Sequence, residues 1–171
     1  GPGVALNIPG FLQEYKQLLD RGIPKPKILI SERAQVVLPY HILFDRYEEE
    51  RLGSRQFGST KSGIAPFYSD KYYKIGIQVS DLLNEALLRD KIQAAVQIKN
   101  VLLKHLYNKP ELDEKQILEE LLEQADGIKP FIADTTSYLN QAIKENKHVL
   151  LEGQLGALRD PDHGIYPYST S

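Results

Sequence analysis

Apolar side chains recur along most of the chain at the three- and four-residue intervals typical of amphipathic helices. One such series begins at Phe11 and stops before Gly22, and another covers residues 36–52, ending in three glutamates that suggest a solvated helix end. The run 27–31 is short, rich in isoleucine and bounded by prolines, which predicts a buried strand. Residues 1–52 are therefore predicted to form a helix, a strand and a helix.

The helical spacing is lost in the next stretch, residues 53–80. Glycines and small hydroxylated residues are concentrated there: Gly53, Gly58, Gly63, Gly76 and the run Ser59-Thr60-Lys61-Ser62. A stretch of this length without secondary structure is uncommon in a compact domain and is usually functional or mobile. We therefore predict that residues 53–80 form a ligand-binding loop.

Helical spacing returns over residues 81–147, where three further helices are predicted. Asp113 followed by Gln116 has the spacing of a capping box at the start of the second of them. The apolar run 149–151 then leads into a polar stretch that contains glycines, which predicts a strand followed by a second ligand loop over residues 148–171. Open α/β sheets place their ligands at the carboxyl ends of strands, so this loop is also a candidate for ligand contact.

The composition is that of an ordinary globular domain, with 42% hydrophobic and 26% charged residues. The net charge of −2 gives no overall attraction for a polyanion, so nucleic acid is not expected as a partner. No apolar run reaches the roughly 20 residues that cross a bilayer, and no signal-peptide pattern is present, so no membrane association is expected. Cysteine is absent, which excludes disulfides and cysteine nucleophiles, and the cytoplasm is the expected compartment.

Three local patterns admit more than one interpretation. The glycine spacing of residues 53–58 is that of a nucleoside-triphosphate loop, but Lys61-Ser62 comes two residues late; an anion nest for a single phosphate at residues 58–60 is the alternative. The sequence of residues 160–164, Asp-Pro-Asp-His-Gly, is typical of a tight turn, of a hard-metal site or of an acid/base pair; the lack of further oxygen ligands argues against a calcium loop, and the turn is favoured. His41, on a predicted helix, is interpreted as a packing residue rather than a catalyst.

Four separated blocks of the sequence resemble the adenylosuccinate synthetase family, in the same order and at similar spacing. They are Gly3-Val4 with Ile8-Pro9-Gly10-Phe11; Ile30-Ser31-Glu32-Arg33-Ala34 with Leu38-Pro39-Tyr40-His41; residues 58–66 with Tyr68, Asp70-Lys71 and Asp81-Leu82-Leu83; and Leu151-Glu152-Gly153 with residues 160–171. The resemblance covers essentially the whole chain but only the middle part of the family's length. Because methionine is also absent, we expect a piece of a longer protein; a complete product that has lost its initiator methionine is the alternative.

The resemblance implies an α/β fold, namely the central part of a parallel-sheet synthetase fold related to P-loop nucleotide hydrolases, with a mostly helical insertion. It implies a ligase of purine nucleotide biosynthesis: GTP phosphorylates the 6-oxygen of IMP, and aspartate then displaces the phosphate. The implied enzyme is homodimeric and depends on Mg²⁺. The family's phosphate loop, catalytic aspartate and catalytic histidine lie upstream of this chain, and its guanine-recognition and aspartate-binding segments lie downstream.

The same resemblance assigns an IMP site residue by residue. Thr60, with Ser59 beside it, matches the loop that binds the IMP phosphate, and Thr170 matches a second IMP contact. Lys74 falls where the family has an arginine that reaches the phosphate bound by the neighbouring subunit. The positive charge is kept there, although lysine lacks the bidentate fork of arginine.

Other positions depart from the family pattern. Ser62 replaces a basic residue of the loop, and Ile75 stands where many members have a second arginine. Leu155 replaces an amide residue that meets the IMP, although Gln154 next to it is a partial substitute. Two interpretations follow: a divergent member with altered nucleotide handling, or a noncatalytic helical binding or interaction module or paralogue that retains only the scaffold.

Overall fold

The computed structural model describes residues 1–153 and 156–170. Its helices, in chain order, are α1 (Ile8–Asp20), α2 (Pro39–Leu52), α3 (Ile64–Tyr73), α4 (Glu85–Leu102), α5 (Glu114–Ile128) and α6 (Thr135–Lys144). A turn of π-helix, Leu103–Tyr107, continues α4, and short 3₁₀ turns lie at Gly53–Arg55, Val79–Leu83, Lys129–Phe131 and Ala157–Arg159. Within the described part of the chain, no helix is both long and apolar enough to cross a membrane.

The strands are short and pair in parallel: β1 (Ala5–Leu6) lies beside β3 (Gln35–Val36), and β2 (Ile30–Ser31) lies beside β4 (Ile132–Ala133). Parallel neighbours need a long crossover connection, which here runs through helices, such as α1 between β1 and β3. This arrangement confirms the predicted α/β class. The predicted buried strand at 27–31 is confirmed at its end, where both residues of β2 are buried.

Helices α1, α4, α5 and α6 begin where the sequence supplies a side-chain acceptor for their free N–H groups. Side-chain caps come from Asn7 at α1, Asp113 at α5 and Asp134 at α6. Asp113 accepts the backbone N–H of Gln116, as the predicted capping box requires. The Gln116 amide, however, donates to Glu120 one turn further on, so only half of the box is formed.

The hydrophobic core lies between α2, α4 and α5 and beneath the β1–β3 pair. Its most enclosed side chains include Ile8, Leu38, Tyr40, Leu88, Leu121 and Ile128. Helix α1 packs on α5, α4 packs on α5, and α2 packs on α3. The α2–α3 packing matters most for function, because the connection between these two helices contains Ser59 and Thr60, which are predicted to bind the phosphate of IMP.

Residues 53–80 are not the open loop that the sequence predicted, since α3 occupies their middle. The inward face of α3 contains Phe67 and Asp70, three residues apart and both buried. A carboxylate at an inward position is invisible to an apolar pattern, which is why the helical spacing was missed. Loop structure remains only before and after α3.

The strand predicted at 149–151 is also not formed, because residues 148–153 have no regular secondary structure. Leu150 is 95% exposed and Leu151 is 85% exposed. A strand must bond its backbone groups to a neighbouring strand, and among the described residues none lies beside this run. Apolar composition alone does not supply that neighbour.

Candidate functional site

The connection between α2 and α3 is hydrogen-bonded to two carboxylates of α2. Asp45 accepts the Ser59 hydroxyl at 2.6 Å through one oxygen and the Gly63 N–H at 2.8 Å through the other. Asp45 is buried, and α2 positions it because it lies on the helix face that packs on α3. The middle and the end of the loop are thereby attached to one side chain.

The start of the same loop is attached to Glu49, one turn further along α2. Glu49 accepts the backbone N–H groups of Phe57 at 3.1 Å and Gly58 at 3.2 Å, one on each carboxylate oxygen. The side chain is only 4% exposed. The interpretation of the three glutamates of α2 as a solvated end is therefore wrong for this one, because it shares the inward face with Asp45.

The backbone of this loop, residues 57–63, bends through three left-handed positions: Gly58 (φ 77°), Lys61 (φ 58°) and Gly63 (φ 82°). Gly63 is constrained twice. Its φ favours glycine, and a Cβ there would lie 2.8 Å from the backbone carbonyl carbon of His41 and 2.8 Å from the backbone nitrogen of Ile42. The absence of a side chain at Gly63 thus allows the start of α3 to approach the backbone of α2.

Three residues at the tip of the loop face solvent: Thr60, Lys61 and Ser62 are exposed. The hydroxyls of Thr60 and Ser62 lie 2.5 Å apart, and the Ser59 hydroxyl oxygen accepts the Lys61 N–H at 3.0 Å. The hydroxyl proton of Ser59 is already donated to Asp45. An incoming anion would therefore meet the hydroxyls of positions 60 and 62 and the ammonium of position 61, rather than Ser59.

The segment 156–170 lies against this loop. The rings of Phe57 and Tyr168 form an edge-to-face pair with centroids 6.4 Å apart. The Thr170 N–H donates to the Arg159 carbonyl at 2.8 Å, which closes the segment on itself. The structure thus brings two of the sequence-predicted regions, around Thr60 and around Thr170, to the same side of the molecule.

The Asp-Pro-Asp-His-Gly sequence within that segment is a turn, as the sequence favoured. The Asp160 carboxylate accepts the backbone N–H groups of Asp162 and His163, each at 2.9 Å. These bonds lower the pKa of Asp160 below its ordinary value. Gly164 is required where the turn closes, since a Cβ there would lie 2.4 Å from the Leu158 carbonyl oxygen.

Lys74 is the C-terminal cap of α3, not part of the open loop that the sequence predicted. Its backbone is left-handed, with φ 66°, and the residue is exposed. Thr60 precedes the other end of the same helix. Ten helical residues rise about 15 Å, so α3 holds these two residues apart within one chain. The remaining predicted site residue, Leu155, lies outside the described residues.

A buried polar cluster next to the loop was not predicted from sequence. His41 accepts the Leu38 N–H at its Nδ1 (2.9 Å), so in the neutral ring the proton is on Nε2, which lies 3.0 Å from Asp70 Oδ2. Lys99 of α4 donates to the other oxygen of Asp70 and lies over the ring of Phe44. The cluster joins α2, α3 and α4 and confirms the interpretation of His41 as a packing residue.

The protonation states of this cluster follow from its burial. Desolvation lowers the pKa of His41, and the neighbouring Asp70 opposes this only in part. Burial alone would raise the pKa of Asp70, but the hydrogen bonds from His41 and Lys99 outweigh it and lower that pKa. The cluster is therefore best described as a neutral imidazole beside a compensated carboxylate–ammonium pair.

Comparison with known proteins places this geometry in a family. The family model for adenylosuccinate synthetase matches residues 1–171. The chain is 43% identical to the adenylosuccinate synthetase of Rhodococcus jostii (strain RHA1) and 46% identical to that of Mycobacterium avium (strain 104), in each case over 100% of this chain and 40% of the relative. A solved structure of fully ligated adenylosuccinate synthetase from Plasmodium falciparum matches with a TM-score of 0.82 at 30% identity, covering 100% of this chain and 39% of that one.

Parallel strand pairs, helical crossovers and a glycine-rich connection held by buried carboxylates define the class as a segment of an α/β fold. The chain belongs to the adenylosuccinate synthetase family, whose members act in purine biosynthesis. It spans about 40% of the length of the curated relatives that it matches.

Proposed function

We propose that the protein carrying this chain is a GTP-dependent ligase that joins IMP to aspartate on the route to AMP, and that this chain supplies part of the IMP site and of a homodimer surface. The observation that carries the proposal is the loop 57–63, whose turn is fixed by α2 while the Thr60 hydroxyl is exposed at its tip. Family membership supplies the reaction.

In this proposal the IMP phosphate binds at the loop tip. Thr60 donates its hydroxyl and backbone N–H to the phosphate, whereas Ser59 contributes indirectly by tying the loop to Asp45. Thr170 contributes from the neighbouring segment, whose contact with Phe57 supports its placement beside the loop.

Leu155 is proposed to contact the IMP through its apolar side chain. Since it cannot hydrogen-bond a purine as an amide would, we expect a weaker preference for IMP over GMP and AMP than an amide at this position would give. Competition binding in the full-length protein and in its Leu155→Gln variant tests this, and equal selectivity in the two proteins would contradict the role.

A cation for the phosphate is proposed to come from Lys74 of the second subunit. Within one chain, Thr60 precedes the N-terminal end of α3 and Lys74 caps its C-terminal end, and the helix between them is about 15 Å long, which favours a cation from another subunit. A homodimer in which the C-terminal end of α3 lies over the partner's loop would bring the two residues to the same phosphate.

The remaining ligands are proposed to bind outside this chain. Mg²⁺, GTP and aspartate are implied by the family, and the described residues contain no group of three or more His, Asp or Glu side chains that could hold a metal ion. Mg²⁺, when bound, supplies charge neutralisation at the phosphates of GTP. Because phosphoryl transfer depends on such positioned groups, we expect the isolated chain to give no adenylosuccinate in a coupled assay with GTP, IMP, aspartate and Mg²⁺.

The shared site is tested by mixing two variants of the full-length protein that each bind IMP more weakly. Thr60→Val removes the hydroxyl with little change in shape, and Lys74→Ala removes the ammonium. Each is expected to weaken IMP binding by roughly tenfold or more, since a charge-assisted hydrogen bond contributes on the order of 1.5–3 kcal/mol. After subunit exchange, a heterodimer regenerates one intact site, so titration of the mixture should show recovered high-affinity binding at about half a site per dimer or less.

Lys129→Ala is the matched control, because this lysine is exposed and pairs with Asp126 on a different part of the surface. It should leave IMP binding unchanged. Exchange without any recovery would contradict the shared site, and absence of IMP binding by the unmodified full-length protein would contradict the ligase proposal and favour the interaction module.

A further inference from the structure

The two carboxylates beneath the loop differ from the other buried charge in the same helix pair. Asp45 is 6% exposed and Glu49 is 4% exposed, one helical turn apart on α2. In the part of the chain that the structure describes, neither forms a salt bridge. Burying a carboxylate without a cation beside it costs free energy, which indicates that these two side chains have a function.

The partners of these two carboxylates all belong to one segment. Each of the four carboxylate oxygens accepts one bond, from the backbone N–H groups of Phe57, Gly58 and Gly63 and from the Ser59 hydroxyl. The bonds therefore anchor both ends of the loop and leave only residues 60–62 between the anchors. All three residues of that tripeptide are exposed.

We propose that Asp45 and Glu49 are positioning residues, which hold the loop in the conformation that binds the phosphate of the nucleotide. This inference rests on the proposed function and deepens it. Fixing the backbone of a residue costs conformational entropy, and a glycine-containing loop without anchors would incur that cost at the moment of binding. The carboxylates meet that cost during folding, so that the exposed donors are preorganised.

The same carboxylates also place two negative charges below an anion site, and this repulsion opposes phosphate binding. The two effects predict opposite outcomes when a charge is removed. If positioning dominates, Asp45→Asn weakens binding, because the amide's NH₂ group cannot accept the Ser59 proton and its neutral oxygen accepts the Gly63 N–H more weakly than a carboxylate does. If repulsion dominates, the same change strengthens binding.

The experiment uses the full-length protein and compares two probes, IMP and inosine, which differ only by the phosphate. Asp45→Asn and Glu49→Gln are each expected to weaken IMP binding by about tenfold, as expected for the loss of a bond to a charged group, while inosine affinity changes less than about twofold. Glu50→Gln is the matched control, because Glu50 is the next residue on α2, is exposed and pairs with Lys109. It should change neither affinity.

Amide hydrogen exchange gives a readout that does not depend on nucleotide binding. Asp45→Asn should lower the protection of the Gly63 amide and leave the amides of Phe57 and Gly58 protected. Glu49→Gln should lower the protection of the Phe57 and Gly58 amides and leave the Gly63 amide protected. Ser59→Ala removes the bond to Asp45, together with the bond that the Ser59 hydroxyl accepts from the Lys61 N–H, so it tests the same role in a variant that retains both carboxylates. Its expected effect is a smaller loss of IMP affinity that does not add to that of Asp45→Asn.

Three results would overturn the positioning role: tighter IMP binding by Asp45→Asn, equal losses for IMP and inosine, or unchanged protection of Gly63 in Asp45→Asn. These failures are distinct from failure of the proposed function, which would show as no IMP binding by the unmodified protein. Selective loss for IMP, with the split exchange pattern, supports the proposal.

Discussion

Two buried carboxylates on neighbouring helices show how the partner of a charge decides what the charge does. Asp70 on α3 is bonded by Lys99 and His41, side chains that belong to two other helices. Asp45 on α2 is bonded by a hydroxyl and a backbone N–H of the loop. The first carboxylate connects three helices of the core, and the second orders a loop at the surface.

This contrast predicts which property each substitution changes. Removing a partner of Asp70 leaves a charge in the core, so the loss is expected in the stability of the whole chain. Removing a partner of Asp45 leaves the loop free to change its conformation, so the loss is expected mainly in local order and in ligand binding. Four predictions follow from this contrast, and each separates core stability from loop order.

The largest effect is expected for Lys99→Met, which keeps the length of the side chain and removes the ammonium bonded to Asp70. Breaking a buried ion pair from one side typically costs about 3–5 kcal/mol. Urea denaturation of the chain measures the free energy of unfolding. Arg89→Met on the same helix breaks an exposed pair with Glu85 and should cost less than about 1 kcal/mol; equal losses in the two variants would show that the buried pair has no special role.

A smaller effect is expected for Gly63→Ala. The left-handed φ and the 2.8 Å approach to the backbone of α2 together should cost about 1–3 kcal/mol of stability and displace the loop. Gly22→Ala has a similar φ of 76° but open space around its Cβ, so it measures the backbone strain alone. If the two variants lose the same stability, close packing of the loop against α2 is not what Gly63 provides.

A dependence of stability on pH is expected from His41. Its pKa is lowered from 6.5 by burial, so below pH 6.5 the unfolded chain binds a proton that the folded chain does not. Stability should therefore fall as the pH falls, by at most about 1.4 kcal/mol per pH unit from this group. The lowered pKa of Asp70 has the same sign, but its loss begins only near and below the ordinary value of 3.8.

Urea denaturation at several pH values from about 7.5 to about 5.5, one unit on either side of the ordinary histidine pKa of 6.5, checks this dependence. His41→Asn should flatten the slope, and His105→Asn, at an exposed position after α4, should leave it as it is. A slope that persists unchanged in His41→Asn would assign the dependence to other groups.

The smallest effect is expected for Lys74→Gly, and it should have opposite signs in the two properties. Glycine relieves the left-handed cap at φ 66° and should raise stability by up to about 1 kcal/mol. The same change removes the proposed phosphate cation, so IMP binding by the full-length protein should weaken. Asn108→Gly is the control, since it relieves another left-handed position without touching the proposed site; weaker IMP binding in that variant would contradict a specific role for Lys74.

The sequence predicted five of the helices, because each has several apolar residues at helical spacing. Helix α2 was visible in this way although Asp45 and Glu49 share its inward face. Helix α3 was missed because Phe67 and Asp70 are its only buried residues, and the partner of Asp70, Lys99, is 29 residues away in sequence. A buried polar pair cannot be read from a pattern of hydrophobic residues, since each member looks like a surface residue until the other is placed beside it.

The candidate site shows the same limit. Resemblance to the family pointed to Thr60, Lys74 and Thr170, and the structure shows a contact, between Phe57 and Tyr168, that joins the segments containing the first and the last of these. Glu49, flanked by two other glutamates, looked solvated, and nothing in its sequence context shows that the loop amides point at it. Hydrogen bonds between a side chain and a distant backbone leave no pattern in the sequence.

The β2–β4 pair has a consequence for the order in which the chain folds. Its partners are separated by roughly 100 residues, so the pair closes a long loop, whose entropy must be lost before two short strands repay it. The contacts of α2 with α3 and of α4 with α5 are far more local and should form first. Refolding followed by pulsed hydrogen exchange should therefore protect amides of these helices earlier than the Glu32 amide, which donates to Ala133 at the end of the closed pair.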